Sequence, residues 1–366
     1  MKKNKKIIIS GGGTGGHIFP AVSIANVLMS MDKETEILFV GAQDRMEMEL
    51  VPKAGYKIIG LPIAGFQRRL TIKNVSFIFK LMNSLKRAKK IIKDFDPDAV
   101  VGVGGYASGP VLRIASRRKI PALIQEQNSY AGVTNRILSK KVNRICVAYD
   151  GMEKYFPAEK IVLTGNPVRQ DILNQVDKNE ALQHFGLVAD KKIILILGGS
   201  LGARTINNSL LSHLDKIPEN GVQILWQTGK YYYENAKKEA EKADNQNVIV
   251  KDFINRMDMA YAVADLVVSR AGAGTISELC LVAKPSILVP SPNVAEDHQT
   301  KNAMALVSKN AAVLLTDAEC ENSLVDKALL LINEQDMLKQ LSNNIAKLAL
   351  KDSANHIANE VLNLIV

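Results

Sequence analysis

Short apolar runs alternate along the chain with stretches whose apolar positions recur at helical spacing. The runs are Ile7–Ile9, Ile37–Val40, Ala99–Val103 and Ala122–Gln125, and the stretches that follow them are Ala21–Met31, Arg45–Ala54, Val111–Arg118 and Val133–Ser139. A strand–helix–strand rhythm of this kind predicts an α/β fold, with a parallel sheet covered by helices on both faces. The pattern then restarts. "ILILGGSLGAR" at 194–204 echoes "IIISGGGTGGH" at 7–17, and "DLVVSRAGAGTIS" from Asp265 echoes "DAVVGVGGYASG" from Asp98. Each is a strand that runs into a glycine-rich turn. Two similar doubly wound domains are therefore expected, with a seam near "TGNPVR" at 164–169, where Gly and Pro permit a hinge.

Composition agrees with two compact domains: 366 residues, 47% apolar and 23% charged, exceed what one hydrophobic core usually organises. Cys146, Cys280 and Cys320 lie far apart without metal-knuckle or disulfide-framework spacing, which suggests a reducing compartment. The net charge of +10 is unevenly placed, since residues 1–160 hold 27 Lys/Arg against 13 Asp/Glu, leaving 20 against 24 for the rest. From Leu50 to Lys93 there is no acidic residue, and within 63–93 basic side chains interleave with Phe77, Ile78, Phe79 and Leu81. Such a segment suits an anionic surface. The opening "MKKNKKIIIS" is too short in its apolar part for a signal peptide, and glycines and polar residues interrupt the uncharged stretch Ile7–Met31. No segment reaches the roughly 18 apolar residues that span a bilayer, so the expectation is a soluble or peripheral protein.

In open parallel sheets, ligands bind beyond the carboxyl ends of the strands, where glycine turns present backbone N–H groups and helix N-termini. Gly11-x-Gly13-x-x-Gly16 has the spacing of a dinucleotide loop. The second strand, however, ends Phe39-Val40-Gly41-Ala42 without the acidic residue that binds a ribose, and no Lys-Ser/Thr follows the glycines as in a P-loop. What remains is a general anion cradle with His17 beside it, able to donate to a phosphate or to take a proton from a hydroxyl.

Seven motifs in order carry a resemblance: "GGGTGGHIFPA", "GVGGYASGP", "QEQNSYAGVTNR", "TGNPVR", "GGSLGAR", "SRAGAGTISEL" and "EDHQTKNA". Together they resemble the MurG family, UDP-N-acetylglucosamine transferases that convert lipid I to lipid II in peptidoglycan synthesis. The resemblance covers residues 10 to about 305. It implies a GT-B fold, two Rossmann-like domains facing across a cleft: an acceptor and membrane-docking domain at 1–163, a UDP-sugar domain at 164–349, and a C-terminal helix at about 350–366 packing back on the first. It also implies inversion at the anomeric carbon without metal or cofactor, at the cytoplasmic face of the cell membrane, with cell-wall synthesis proteins as partners. By matching position, His17 is the first candidate for the general base and Glu126 the second; a helix-opening His serves equally as an anion ligand or a cap. Thr14, Gly15, Gly16, Asn128, Arg169, Ser200, Ile254, Thr275, Glu278 and Gln299 are assigned to the donor. Gly12, Gly13, Gly104, Gly105 and Tyr106 are assigned to the acceptor diphosphate. Glu278, expected three residues into the helix that follows "AGAGT", suits either a helix cap or the ribose hydroxyls. Local chemistry agrees, because a diphosphate leaving group needs backbone N–H groups, a helix N-terminus and a cation. The chain departs from the family at Gln125, where His is common, and at Leu201, where Gln is common.

Two other classes compete with this assignment: a GT-B glycolipid transferase with a different acceptor, and a non-catalytic protein that binds sugar nucleotides or anionic lipid. No nucleic-acid module is recognisable, and the later half is acidic. Asp94-x-Asp96-x-Asp98 imitates a metal-holding DxD, but Pro97 and the strand from Ala99 mark it as a turn.

Overall fold

In a computed structural model, residues 4–63, 73–199, 201–218, 221–243 and 245–365 are described; the side chains of 73–78, Gln170 and Ala295 are not. The chain divides into two compact units, Met1–Arg169 with Leu350–Val366, and Gln170–Ala349.

The first unit holds β1 (Lys6–Ser10), α1 (Gly15–Met31), β2 (Glu36–Ala42), α2 (Glu47–Lys53), β3 (Lys57–Leu61), α3 (Lys73–Phe95), β4 (Ala99–Gly102), α4 (Ser108–Arg117), β5 (Ala122–Glu126), α5 (Val133–Ser139), β6 (Arg144–Val147) and β7 (Ile161–Leu163). Its seven strands pair in parallel in the order β3-β2-β1-β4-β5-β6-β7. Three consecutive isoleucines explain why β1 is central. Ile7 and Ile9 pack with Ile24 and Leu28 of α1 on one face, while Ile8 meets Ile92 of α3 and Leu112 of α4 on the other.

The second unit contains α6 (Lys178–Phe185), β8 (Lys192–Leu197), α7 (Arg204–Leu211), β9 (Val222–Gln227), α8 (Tyr233–Lys242), β10 (Val248–Lys251), α9 (Met257–Val263), β11 (Leu266–Ser269), α10 (Ala273–Leu281), β12 (Ser286–Leu288), α11 (His298–Val307), β13 (Val313–Leu314), α12 (Asp317–Leu331) and α13 (Gln335–Ala346). Its parallel sheet has the order β10-β9-β8-β11-β12-β13. Ile194 and Ile196 of β8 pack against Ile206 and Leu210 of α7 and Leu324 of α12. The last helix, α14 (Ser353–Asn363), belongs to the first unit, where Ile357 and Val361 join the core beside α1.

The sequence echo between Asp98 and Asp265 has a structural meaning. Asp98 accepts the Lys6 N–H at 2.8 Å and returns its own N–H to the Lys6 carbonyl at 2.7 Å. Asp265 does the same with Ile193, at 2.8 and 2.9 Å. In each unit this pair locks the first strand to the fourth, the strand pair at which the sheet order reverses. Ligands of doubly wound sheets bind at that reversal. Asp96, at φ 51°, turns the chain between α3 and β4, and with Asp98 spent on Lys6 this acidic run is turn chemistry, as Pro97 indicated.

Helix starts differ from the periodicity. α1 opens at Gly15 rather than Ala21, α4 at Ser108 rather than Val111, and α10 at Ala273, so that Glu278 is the sixth helical residue, not in the first turn. Glycine and serine carry little helical preference of their own.

Candidate active site

The glycine turn after β1 begins with the Gly11 N–H donating to the Val40 carbonyl at 3.2 Å. Thr14, in extended conformation, precedes α1, and the first turn of a helix leaves backbone N–H groups without helical partners. His17 is the third residue of α1. Its Nδ1 lies 3.2 Å from Thr14 Oγ1. Its ring covers the turn after β4, where a Cβ on Gly104 would stand 2.7 Å from Nε2. Gly105 meets the Gly12 backbone, leaving no room for a side chain. The turns after β1 and β4 are therefore in contact at the reversal point, with the imidazole against both. Tyr106 follows, 49% exposed, and the Ser108 hydroxyl donates to the Gly105 carbonyl at 3.0 Å.

Glu126 ends β5 and is buried. Its Oε1 accepts from the Asn128 N–H at 3.1 Å and from Asn128 Nδ2 at 3.3 Å. Its Oε2 accepts from the Gly132 N–H at 3.0 Å and from Asn135 Nδ2 at 2.8 Å. Burial pushes the carboxyl above its ordinary range, although all four donors pull the other way. Both oxygens thus anchor the loop leading into α5, and the same bonds fix Asn128. Arg169, half-buried, closes the unit.

Beneath this surface Gln127 Nε2 donates to the Val103 carbonyl at 2.7 Å, Gln125 Nε2 to Asn166 Oδ1 at 3.0 Å, and Asn166 Nδ2 to the Gln127 carbonyl at 3.0 Å. Gln127 also bonds Gln125 Oε1. Gln125, the departure from the family, is a buried member of this amide network, which holds the strand leading into Gly104.

In the second unit, the turn after β8 carries Ser200, which lies outside the described residues. Its neighbour Leu201 is 63% exposed. The turn after β11 leads through Gly272 into α10, placing Thr275 third in the helix. Glu278 accepts from the Tyr261 hydroxyl at 2.9 Å. The Ile254 N–H donates to Gln227 Oε1 at 2.8 Å, so its amide is already used within the unit. Gln299, second in α11, accepts the Ser291 N–H at 2.8 Å through Oε1, which orients its amide nitrogen. Sequence reasoning missed Tyr261, Gln127 and Arg270. Arg270 Nη1 donates to the Val289 and Pro290 carbonyls, both at 3.2 Å, and at 2.5 Å to Asp317, tying the start of the "AGAG" turn to the end of β12 and to α12. An arginine beside a glycine turn was the only available signal.

Two doubly wound units in one chain, each with its glycine turns at the reversal of strand order, define the GT-B class of fold. The family model described as the glycosyltransferase family 28 N-terminal domain matches residues 7–147, and that of the family 28 C-terminal domain matches residues 193–357. The chain belongs to glycosyltransferase family 28. It is 61% identical over 366 residues, 100% of this chain and 97% of the relative, to the UDP-N-acetylglucosamine–N-acetylmuramyl-(pentapeptide) pyrophosphoryl-undecaprenol N-acetylglucosamine transferase of Phocaeicola vulgatus. It is 60% identical to the protein of that name from Bacteroides thetaiotaomicron, over 100% and 99% of the two chains. Among solved structures, Acinetobacter baumannii MurG matches with a TM-score of 0.80 at 27% identity, over 98% of this chain and 99% of that one. The MurG resemblance drawn from the motifs is thereby upheld.

Proposed function

We propose that this chain transfers N-acetylglucosamine from its UDP donor to the C4 hydroxyl of the N-acetylmuramyl unit of lipid I, giving lipid II with inversion at the anomeric carbon. The observation that carries this is 61% identity, along the whole chain, to a relative named for that transfer. The chemistry of the two reversal points is consistent with it. The acceptor diphosphate lies at the glycine turns Gly12–Gly13 and Gly104–Tyr106, where the start of α1 faces an anion. His17 takes the proton of the attacking hydroxyl through Nε2, with Thr14 steadying Nδ1. As the new C1–O bond forms, the bond from C1 to the UDP oxygen breaks. The charge that develops on the diphosphate is met by the N-terminus of α10, by Thr275 and by Arg169, with no metal required. Glu278 receives the ribose hydroxyls, its rotamer set by Tyr261. The Ile254 carbonyl accepts from the uracil N–H, and Gln299 holds hydroxyls of the transferred sugar. Glu126, with both oxygens spent on the 128–135 loop, acts by positioning Asn128 rather than as the base.

The protein docks at the cytoplasmic face of the membrane through the 63–93 segment, within which 64–72 lie outside the described residues. Along α3 the basic side chains Lys80, Lys86, Arg87, Lys89, Lys90 and Lys93 are exposed, as are Phe79 (69%) and Met82 (54%), while Ser84, Ala88, Ile91 and Ile92 face the core. Among the described residues no helix is long and apolar enough to cross a membrane.

The test is transfer of labelled N-acetylglucosamine to a lipid I analogue in EDTA. Wild-type protein is expected to turn over. His17→Ala should lose about 100- to 10,000-fold in kcat while still binding donor. Donor binding without transfer by the wild type would mean that the acceptor is wrong.

A further inference from the structure

Glu47, the first residue of α2, is 1% exposed and has no part in the chemistry described above. A carboxylate withdrawn from water is costly unless hydrogen bonds replace its hydration. Here Oε2 accepts the Gly13 N–H at 2.8 Å and Oε1 accepts the Ala42 N–H at 2.9 Å. One side chain therefore joins the end of β2 to the glycine loop after β1. The surrounding backbone is shaped to admit it. At Gly12, φ is 144° and a Cβ would collide with the carboxylate; at Gly41 a Cβ would stand 2.6 Å from Glu47 Cγ. The opposite side of Gly12 meets Gly105. The loop is thus held between a buried carboxylate and the next glycine turn, two residues before the start of α1.

We infer that Glu47 is the positioning residue of the acceptor loop: its carboxylate holds Gly12–Gly13 in the conformation that seats the Gly104–Gly105 turn and presents His17. This rests on the proposed acceptor site. It also changes the inventory of that site. The Gly13 N–H is consumed inside the protein, so it is not among the donors left for the acceptor diphosphate. A loop displaced by about 1 Å would carry His17 out of line, a change that costs on the order of 100-fold in rate even when binding elsewhere is intact.

Glu47→Gln keeps size and shape but turns an NH₂ group toward one of the two N–H donors. Three quantities should be measured on the full-length variant and on wild type: initial rates with a lipid I analogue, the calorimetric Kd for UDP-N-acetylglucosamine, and amide hydrogen exchange over residues 8–20. The expected result is a 10- to 100-fold fall in kcat, a donor Kd unchanged within about twofold because Ile254, Glu278 and Gln299, proposed for the uracil, the ribose and the sugar, belong to the second unit, and faster exchange confined to the loop. Wild-type kcat and exchange would overturn the inference. So would loss of donor binding in parallel with rate, since that marks a general structural role. The exchange measurement requires no turnover, so a wild type that ignores lipid I would count against the acceptor assignment while exchange still decides on Glu47.

Discussion

His17 and Gly104 show how a single residue acts through its neighbour at this site. With the ring 2.7 Å from where a Cβ would be, Gly104→Ala has to push the imidazole away, and φ 95° at that position adds backbone strain. Its expected phenotype is a kcat loss of about 100-fold with donor affinity retained, measured in the transfer assay; full activity would show that His17 need not rest on this turn. Glu126 gives a pH-dependent expectation. Its folded-state pKa lies above the ordinary 4.5 because burial outweighs the four donors. The stability linked to that shift is full below about pH 4.5 and is lost as pH rises through the folded value. Glu126→Gln, which stays neutral, removes this linkage. The excess of wild-type over variant Tm should accordingly be largest near pH 4.5 and shrink toward pH 8; a constant difference in thermal melts across that range would refute it. Legibility at this scale was uneven. His17 stood out because an imidazole after a glycine loop is chemically conspicuous. Glu47 and Tyr261 did not, because what matters in them is the partner each reaches, and sequence spacing is silent about partners 34 and 17 residues away.

Elements were legible where burial alone decides them. Three isoleucines in β1 face two different cores, so any apolar β-former suffices and the run is visible without context. The first turns of α1, α4 and α10 were not, since Gly15, Gly16, Ser108 and Gly274 have little helical preference and carry no apolar period. α3 is amphipathic in the ordinary sense, yet its outer face combines exposed Phe79 and Met82 with six exposed Lys and Arg residues between positions 80 and 93. At about 1 kcal/mol per basic residue near an anionic leaflet, Lys86→Gln, Lys89→Gln and Lys90→Gln together should weaken partition into phosphatidylglycerol vesicles about 100-fold. Sedimentation with vesicles measures this directly, and unchanged binding would remove α3 as the docking element.

At the scale of the whole chain, α14 lies far in sequence from the unit it completes. Ile357 is fully buried beside Ile24 and Val361 in the core under α1, so Ile357→Ala should cost about 2–5 kcal/mol and lower the unfolding midpoint of the first unit; a negligible shift in calorimetry would contradict that packing. The sequence by itself determined the α/β class, the duplication into two doubly wound units and the glycine turns at their reversal points, together with the family. Apolar periodicity, strand–helix alternation and motif order are local properties, and they survive without coordinates. Only the tertiary structure decided which N–H groups are already spent. Glu47 takes that of Gly13 and Gln227 that of Ile254, while both oxygens of Glu126 go to its own loop. Hydrogen bonding is a matter of ångströms between atoms brought together by folding, and no spacing along the chain encodes it.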